Sequence, residues 1–274
     1  LADGGYSRAV SSRALVHGRR FLKHAWWVAV SVGGLLVFRS VVPPESLRGA
    51  SDVSGNFLQT FGSIYGVIVA FVIYVVWQQH NETQIAVEKE AVALAEVYTT
   101  IGWLTAWPQR DEVRARLRRY AKVVPALNGA RPEKVEEDDK RLLDASFRDF
   151  MNHAPSAAEE RVFEPALELF HELNEAREHR LTVSRLRLPE ALRWFVFLGG
   201  AISVGAVWLL WVESLAVQAT LTAGMTWVIV AATSLILDLD DPYGGDFVVN
   251  WARFNEAGER MDAHVCPELV RRSA

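Results

Sequence analysis

The residues of this chain that could do chemistry are carboxylates, and they cluster in two places. Asp238, Asp240, Asp241 and Asp246 surround the turn Pro242-Tyr243-Gly244-Gly245. Oxygen ligands presented on a turn suit Ca2+, a hard ion, which makes Asp240, Asp241 and Asp246 candidate ligands. The spacing departs from an EF-hand loop, and Asp with Gly is equally the composition of an exposed turn. The second place is Glu168-x-x-His171, followed by Glu172, Glu175 and His179. That spacing puts carboxylates and imidazoles on related faces of a helix, as in carboxylate-bridged metal sites. A single copy interleaved with Glu and Arg at i,i+4 reads better as a solvated, salt-bridged face. There is no Walker loop, dinucleotide fingerprint, HExxH or nucleophile elbow. The one cysteine, Cys266, leaves no intramolecular disulfide and no multi-cysteine metal site. The sequence thus argues against an enzyme, and calcium is the one cofactor it suggests.

The elements that would position these residues are mostly apolar. Half of the 274 residues are hydrophobic and ten are Trp. Trp26, Trp27, Trp77, Trp194, Trp211 and Trp251 fall at or near the edges of apolar stretches, where amphipathic rings settle at a membrane interface. Four stretches approach or exceed the roughly 20 residues that cross a bilayer: Ala25 to Val42, Phe57 to Trp77, Ala191 to Val212 and Leu215 to Leu237. Arg39, near the end of the first, can snorkel to the interface. Pro43 and Pro44 stop that helix, and a Ser/Gly/Asp-rich loop runs to Asn56. Arg8, Arg13, Arg19, Arg20 and Lys23 precede the first span, and Arg177, Arg180, Arg185, Arg187 and Arg193 crowd the approach to the third. The positive-inside rule then puts both termini in the cytoplasm. The net charge of −4 gives no reason to expect nucleic acid.

The expected fold is an all-α protein of the plasma (inner) membrane. Residues 1–24 form a basic cytoplasmic segment and 25–78 carry the first two spans. Residues 79–189 form a cytoplasmic helical bundle inserted between the second span and the third. Residues 190–237 carry the third and fourth spans, and 238–274 form the acidic elbow and tail. The second span continues without a break into a polar helix, in which Val87, Ala91, Leu94, Tyr98 and Ile101 make one apolar face. Within 79–189 further helices are expected over Gln109 to Leu127, Glu133 to Met151 and Ser156 to Leu188, with breaks at Asn128-Gly129 and Arg131-Pro132.

Two faces of the second span invite function. Gly62, Gly66 and Ala70 fall four apart, the small-residue ridge that lets membrane helices pack closely, within one chain or between identical subunits. Asn56, Thr60, Ser63, Tyr74, Gln78 and Asn81 make a polar face interrupted by Val67 and Phe71. Such a face suits a pore-lining helix with a dewetting constriction, and equally a helix that buries its hydroxyls against neighbours. The fourth span carries a similar stripe in Gln218, Thr222, Thr226 and Thr233. No span has a charge at its centre, so a proton relay is not indicated.

Two segments, IYGVIVAFVIYVVWQQHNETQIAVEKEAVALAEVY over 64–98 and LILDLDDPYGGDF over 235–247, resemble the bestrophin-like family of prokaryotic and plant membrane proteins, itself distantly similar to bestrophin channels. The residues that carry the likeness are the Glu90-Ala91 pair, the approach bearing Arg177, Arg180 and Arg185, and Leu239, Asp240, Pro242, Tyr243 and Gly245. The resemblance implies a ring-shaped homo-oligomer, a pentamer, that conducts inorganic ions through a narrow apolar neck on the second span. Val67, Phe71 and Tyr74 would line that neck, with Gln78 at its cytoplasmic exit. Bestrophins hold a calcium clasp in a run of acids beside the pore, whereas here Phe247, Val248 and Val249 follow Asp246. Membrane lipids and ions are then the expected partners. The competing expectation is a non-conducting membrane scaffold whose cytoplasmic bundle binds a partner protein complex.

Overall fold

The structure is a computed structural model that describes Leu22 and residues 24–127 and 132–263. The basic N-terminal segment, the Asn128-to-Arg131 break and Cys266 lie outside the described residues. Every described element is a helix: α1 (His24–Val41), α2 (Ser51–Ile101), α3 (Arg110–Val123), α4 (Pro132–Met151), α5 (Glu160–Ser184), α6 (Glu190–Trp208), α7 (Leu215–Leu239) and α8 (Ala252–Ala263), with 3-10 turns at Pro44–Ala50 and Val124–Leu127. Helices α1, α2, α6 and α7 are long and apolar enough to cross a membrane. The chain divides into two compact units. One takes the described residues up to Trp77 and Arg187–Asp240, and the other takes Gln78–Leu186 and the described residues from Asp241.

In the first unit, Tyr65, Val69, Val72 and Val76 repeat at steps of four, three and four and so share one face of α2. They pack with Val196, Ile236 and Leu239, and with Leu188 just before α6. Close approach depends on small residues. A Cβ at Gly199 would stand 2.5 Å from the Tyr65 ring, and one at Gly200 would stand 2.6 Å from Ile229. The buried Tyr65 hydroxyl donates to the Val196 carbonyl at 2.9 Å, so its polar end is satisfied. The α6–α7 hairpin is closed by Gln218, whose Nε2 donates to the carbonyls of Val207, Trp208 and Leu210. Trp208 is the last residue of α6, and its carbonyl has no partner within the helix.

The second unit is built on the other end of α2. Val87, Ala91, Leu94, Tyr98 and Ile101 are all buried, as their spacing predicts. Val113, Leu117 and Tyr120 of α3, Phe150 of α4, Phe170 and Leu173 of α5, and Phe254 and Met261 of α8 complete the core. Phe150 stacks on Phe163 at 4.6 Å. The Tyr98 hydroxyl donates to the Met261 carbonyl at 3.1 Å and fixes α8 against α2. Glu159, before α5, accepts from the Ala106 N–H at 2.9 Å and from the Ser156 N–H and hydroxyl, tying two loops together.

The boundaries differ from expectation in three places. Helix α2 starts at Ser51, where Asp52 in the first turn favours the positive end of the helix dipole, rather than after a loop to Asn56. Helix α5 begins at Glu160 and stops at Ser184, short of Leu188. Pro189 disfavours helical backbone at Leu188, and the Leu188 N–H donates instead to Asp240. Helix α8, in what reads as a polar tail, buries Phe254, Ala257, Gly258 and Met261 at i, i+3, i+4 and i+7.

Candidate functional site

Helical geometry sends Val67 to the side of α2 opposite Tyr65 and Val69, since two residues turn the helix by about 200°. Val67, Phe71 and Tyr74 are 70%, 60% and 55% exposed, and Gln78 is exposed as well. The four residues thus share a face that no other described residue covers. Asn56, Thr60, Ser63 and Asn81 are exposed too, and the Ser63 hydroxyl donates to the Gln59 carbonyl of its own helix. These polar groups are therefore not buried against other described helices. Gly66 and Ala70 are exposed, and a Cβ built at Gly62 or Gly66 would meet no atom within 4 Å. The small-residue ridge has no partner inside the described chain. The stripe on α7 behaves differently: Gln218, Thr222 and Thr226 are buried within the first unit.

The second unit holds a buried ionic network that joins four helices. Glu90 of α2 accepts from the Tyr120 hydroxyl of α3 and from Nε and Nη2 of Arg180 of α5. Arg180 Nη2 also donates to Asp139 Oδ2 of α4 at 3.0 Å. Arg177, one turn earlier, donates to Asp139 Oδ1 through Nε at 3.0 Å and Nη2 at 2.6 Å, and to the Glu136 carbonyl. Glu90, Asp139, Tyr120 and Arg180 are each 0% exposed and Arg177 is 3%. Two guanidinium groups face two carboxylates, so the cluster is neutral and each charge has partners, the condition for burial. Burial and the neighbouring Glu90 carboxylate push the Tyr120 phenol well above its ordinary value, which keeps it a donor.

Arg177 and Arg180 read in the sequence as markers of membrane orientation. The structure accounts for them by ion pairing, as it does for Arg185 with Glu136 and Arg193 with Asp240. A signal was present: Phe170, Leu173, Arg177, Arg180 and Ser184 follow the spacing of a buried face, so the two arginines occupy core positions.

Asp240 is 8% exposed and accepts from the Leu188 N–H at 2.6 Å and from Arg193 at 3.1 Å. Asp241 opens a turn closed by the Gly244 N–H, and Gly245 has φ 77°, a left-handed backbone suited to glycine. Tyr243 is buried and stacks on Trp251. Among the described residues no three His, Cys, Asp or Glu side chains are grouped to hold a metal. Glu168, His171, Glu172, Glu175 and His179 are all exposed on α5.

Comparison with known proteins adds three findings. A family model described as Bestrophin-like domain matches residues 25–254. Solved structures of a bacterial bestrophin homolog from Klebsiella pneumoniae share the fold. One mutant form is 11% identical with a TM-score of 0.67, covering 89% of this chain and 99% of that one. The form phased on zinc is 10% identical with a TM-score of 0.63, covering 88% and 96%. No curated protein sequence matches the chain.

Proposed function

The chain belongs to the bestrophin-like family, and from that membership we propose that it is a homo-oligomeric ion channel, a pentamer, with α2 lining the pore. In this reading α1, the first half of α2, α6 and α7 span the inner membrane. The second unit and both termini are cytoplasmic. Val67, Phe71 and Tyr74 form the apolar neck, and Gln78 stands at its cytoplasmic exit. The observation that carries the reading is the uncovered face of α2. An apolar constriction flanked by hydroxyl and amide side chains gates ions by dewetting. Gly62, Gly66 and Ala70 then serve as contact surface between neighbouring copies of α2.

A second reading is a non-conducting scaffold that binds a partner complex through the second unit. Its support is that Ile85, Val92 and Trp103 are exposed there, Trp103 to 69%. Mass photometry of the detergent-purified protein, followed by low-resolution imaging, separates the two. The channel reading expects a closed ring with α2 at the axis. A monomer, or one copy attached to a larger assembly, would leave the scaffold in front.

A further inference from the structure

The first unit contains a cavity of about 550 Å3 between α1, α6 and α7 that neither the α2 face nor the ionic network uses. Small residues hollow it out: Ser31 and Gly34 on α1, and Gly200, Ala201 and Gly205 on α6. Trp27, Phe197 and Leu237 also line it and are 56%, 43% and 40% exposed, so the hollow opens on a surface that the described residues leave bare. Its lining runs along α6 from Phe197 to Trp208 and along α7 from Thr226 to Leu237, roughly 16 Å on each helix. Gly200 of α6 meets Ile229 of α7, and from that contact the antiparallel helices carry the lining about 12 Å in opposite directions, to Trp208 and to Leu237, so the hollow extends over roughly 24 Å, most of a hydrocarbon core of about 30 Å.

The polar groups of the lining are informative. The Thr226 hydroxyl donates to Ser31 at 2.8 Å, and Ser234 pairs with His24 at 3.0 Å. Trp208 Nε1 is buried and has no acceptor among the described residues. Its ring is held against Gly34, where a Cβ would come within 2.6 Å of it. Trp208 also ends α6, at the edge of a candidate span, the depth at which indoles settle and lipid ester groups lie. A largely apolar hollow does not hold water well.

We propose that this cavity binds one acyl chain of a bilayer glycerolipid, whose ester carbonyl oxygen accepts the Trp208 Nε1–H. The chain lies between α6 and α7 in the space left by Gly205 and Ala201. Binding here is independent of whether the protein conducts.

The test reconstitutes the full chain in phosphatidylcholine vesicles containing a phosphatidylcholine with a diazirine on one acyl chain. After irradiation, adducts are mapped by mass spectrometry. Labelling between residues 197 and 208 and between 226 and 237 is expected to exceed that at exposed Leu221 several-fold. Gly205→Phe, at a position where a Cβ meets no atom within 4 Å, is expected to cut the cavity labelling several-fold and leave Leu221 unchanged. Trp208→Phe keeps a ring against Gly34 but removes the donor. Native mass spectrometry after delipidation is expected to show fewer retained lipids per subunit for this variant, which serves if Gly205→Phe fails to fold. Uniform labelling, labelling indifferent to Gly205→Phe, or unchanged lipid retention in Trp208→Phe would overturn the proposal. So would capture of a diazirine fatty acid but not of the glycerolipid.

Discussion

At Glu90 the cost of burying a carboxylate is offset by donors from two helices, the Tyr120 hydroxyl and two nitrogens of Arg180. Glu90→Gln keeps the shape but leaves two buried guanidinium groups sharing Asp139. Breaking such a pair costs about 3–5 kcal/mol, and Tyr120→Phe, which removes one hydrogen bond to a charge, should cost about 1.5–3 kcal/mol. Unfolding of the detergent-solubilised variants should show that order, and an unchanged Glu90→Gln protein would refute the network's structural role. Glu159 predicts a pH effect. Burial alone would raise its carboxyl, but hydrogen bonds from Ala106 and Ser156 outweigh it and hold the group below its usual range. With the folded value under the unfolded one, its stabilisation is complete above the unfolded pKa and is lost as pH falls through the folded value. Amide exchange at Ala106, corrected for intrinsic rate, should therefore quicken on acidification, and Glu159→Gln should flatten that dependence. Little of this was legible. Periodicity assigns residues to faces, but whether a charge on an apolar face meets a counter-charge ninety residues away is set by tertiary packing.

Helix α2 was the most legible element in its second half, where the buried stripe Val87 to Ile101 repeats with helical period, whereas the buried stripe Tyr65 to Val76 lies in a span that is apolar nearly all round and so carries no contrast. Its outer face was legible as a pattern but not as a purpose, since polar side chains with an apolar middle suit a pore or a helix contact alike. Two substitutions address that purpose. Phe71→Ala should widen the neck and raise single-channel conductance several-fold in planar bilayers, and unchanged currents would count against this face lining a pore. Gly66 is exposed and a Cβ there meets no described atom within 4 Å, so in Gly66→Leu the monomer should keep its stability within about 0.5 kcal/mol. The same change should abolish the ring in mass photometry if the ridge packs between copies. Helix α8 escaped notice because its twelve residues are short and polar on average, although Phe254, Ala257, Gly258 and Met261 carry a clear stripe.

At the scale of the molecule, hydropathy located the four long apolar helices of the described residues. What hydropathy could not supply is which segments share a core. The second unit draws on Gln78–Leu186 and again on residues from Asp241, with the α6–α7 hairpin between them in sequence. That discontinuity governs how the protein is made. Glu90 leaves the ribosome ninety residues ahead of Arg180, an interval of roughly 5–20 s at about 5–20 residues per second. During it the nascent carboxylate has water in place of the guanidinium. Tyr98 waits longer still, since Met261 follows 163 residues behind it. Completion of the second unit is thus timed by translation of its last helix, after both segments of the first unit have already been synthesised.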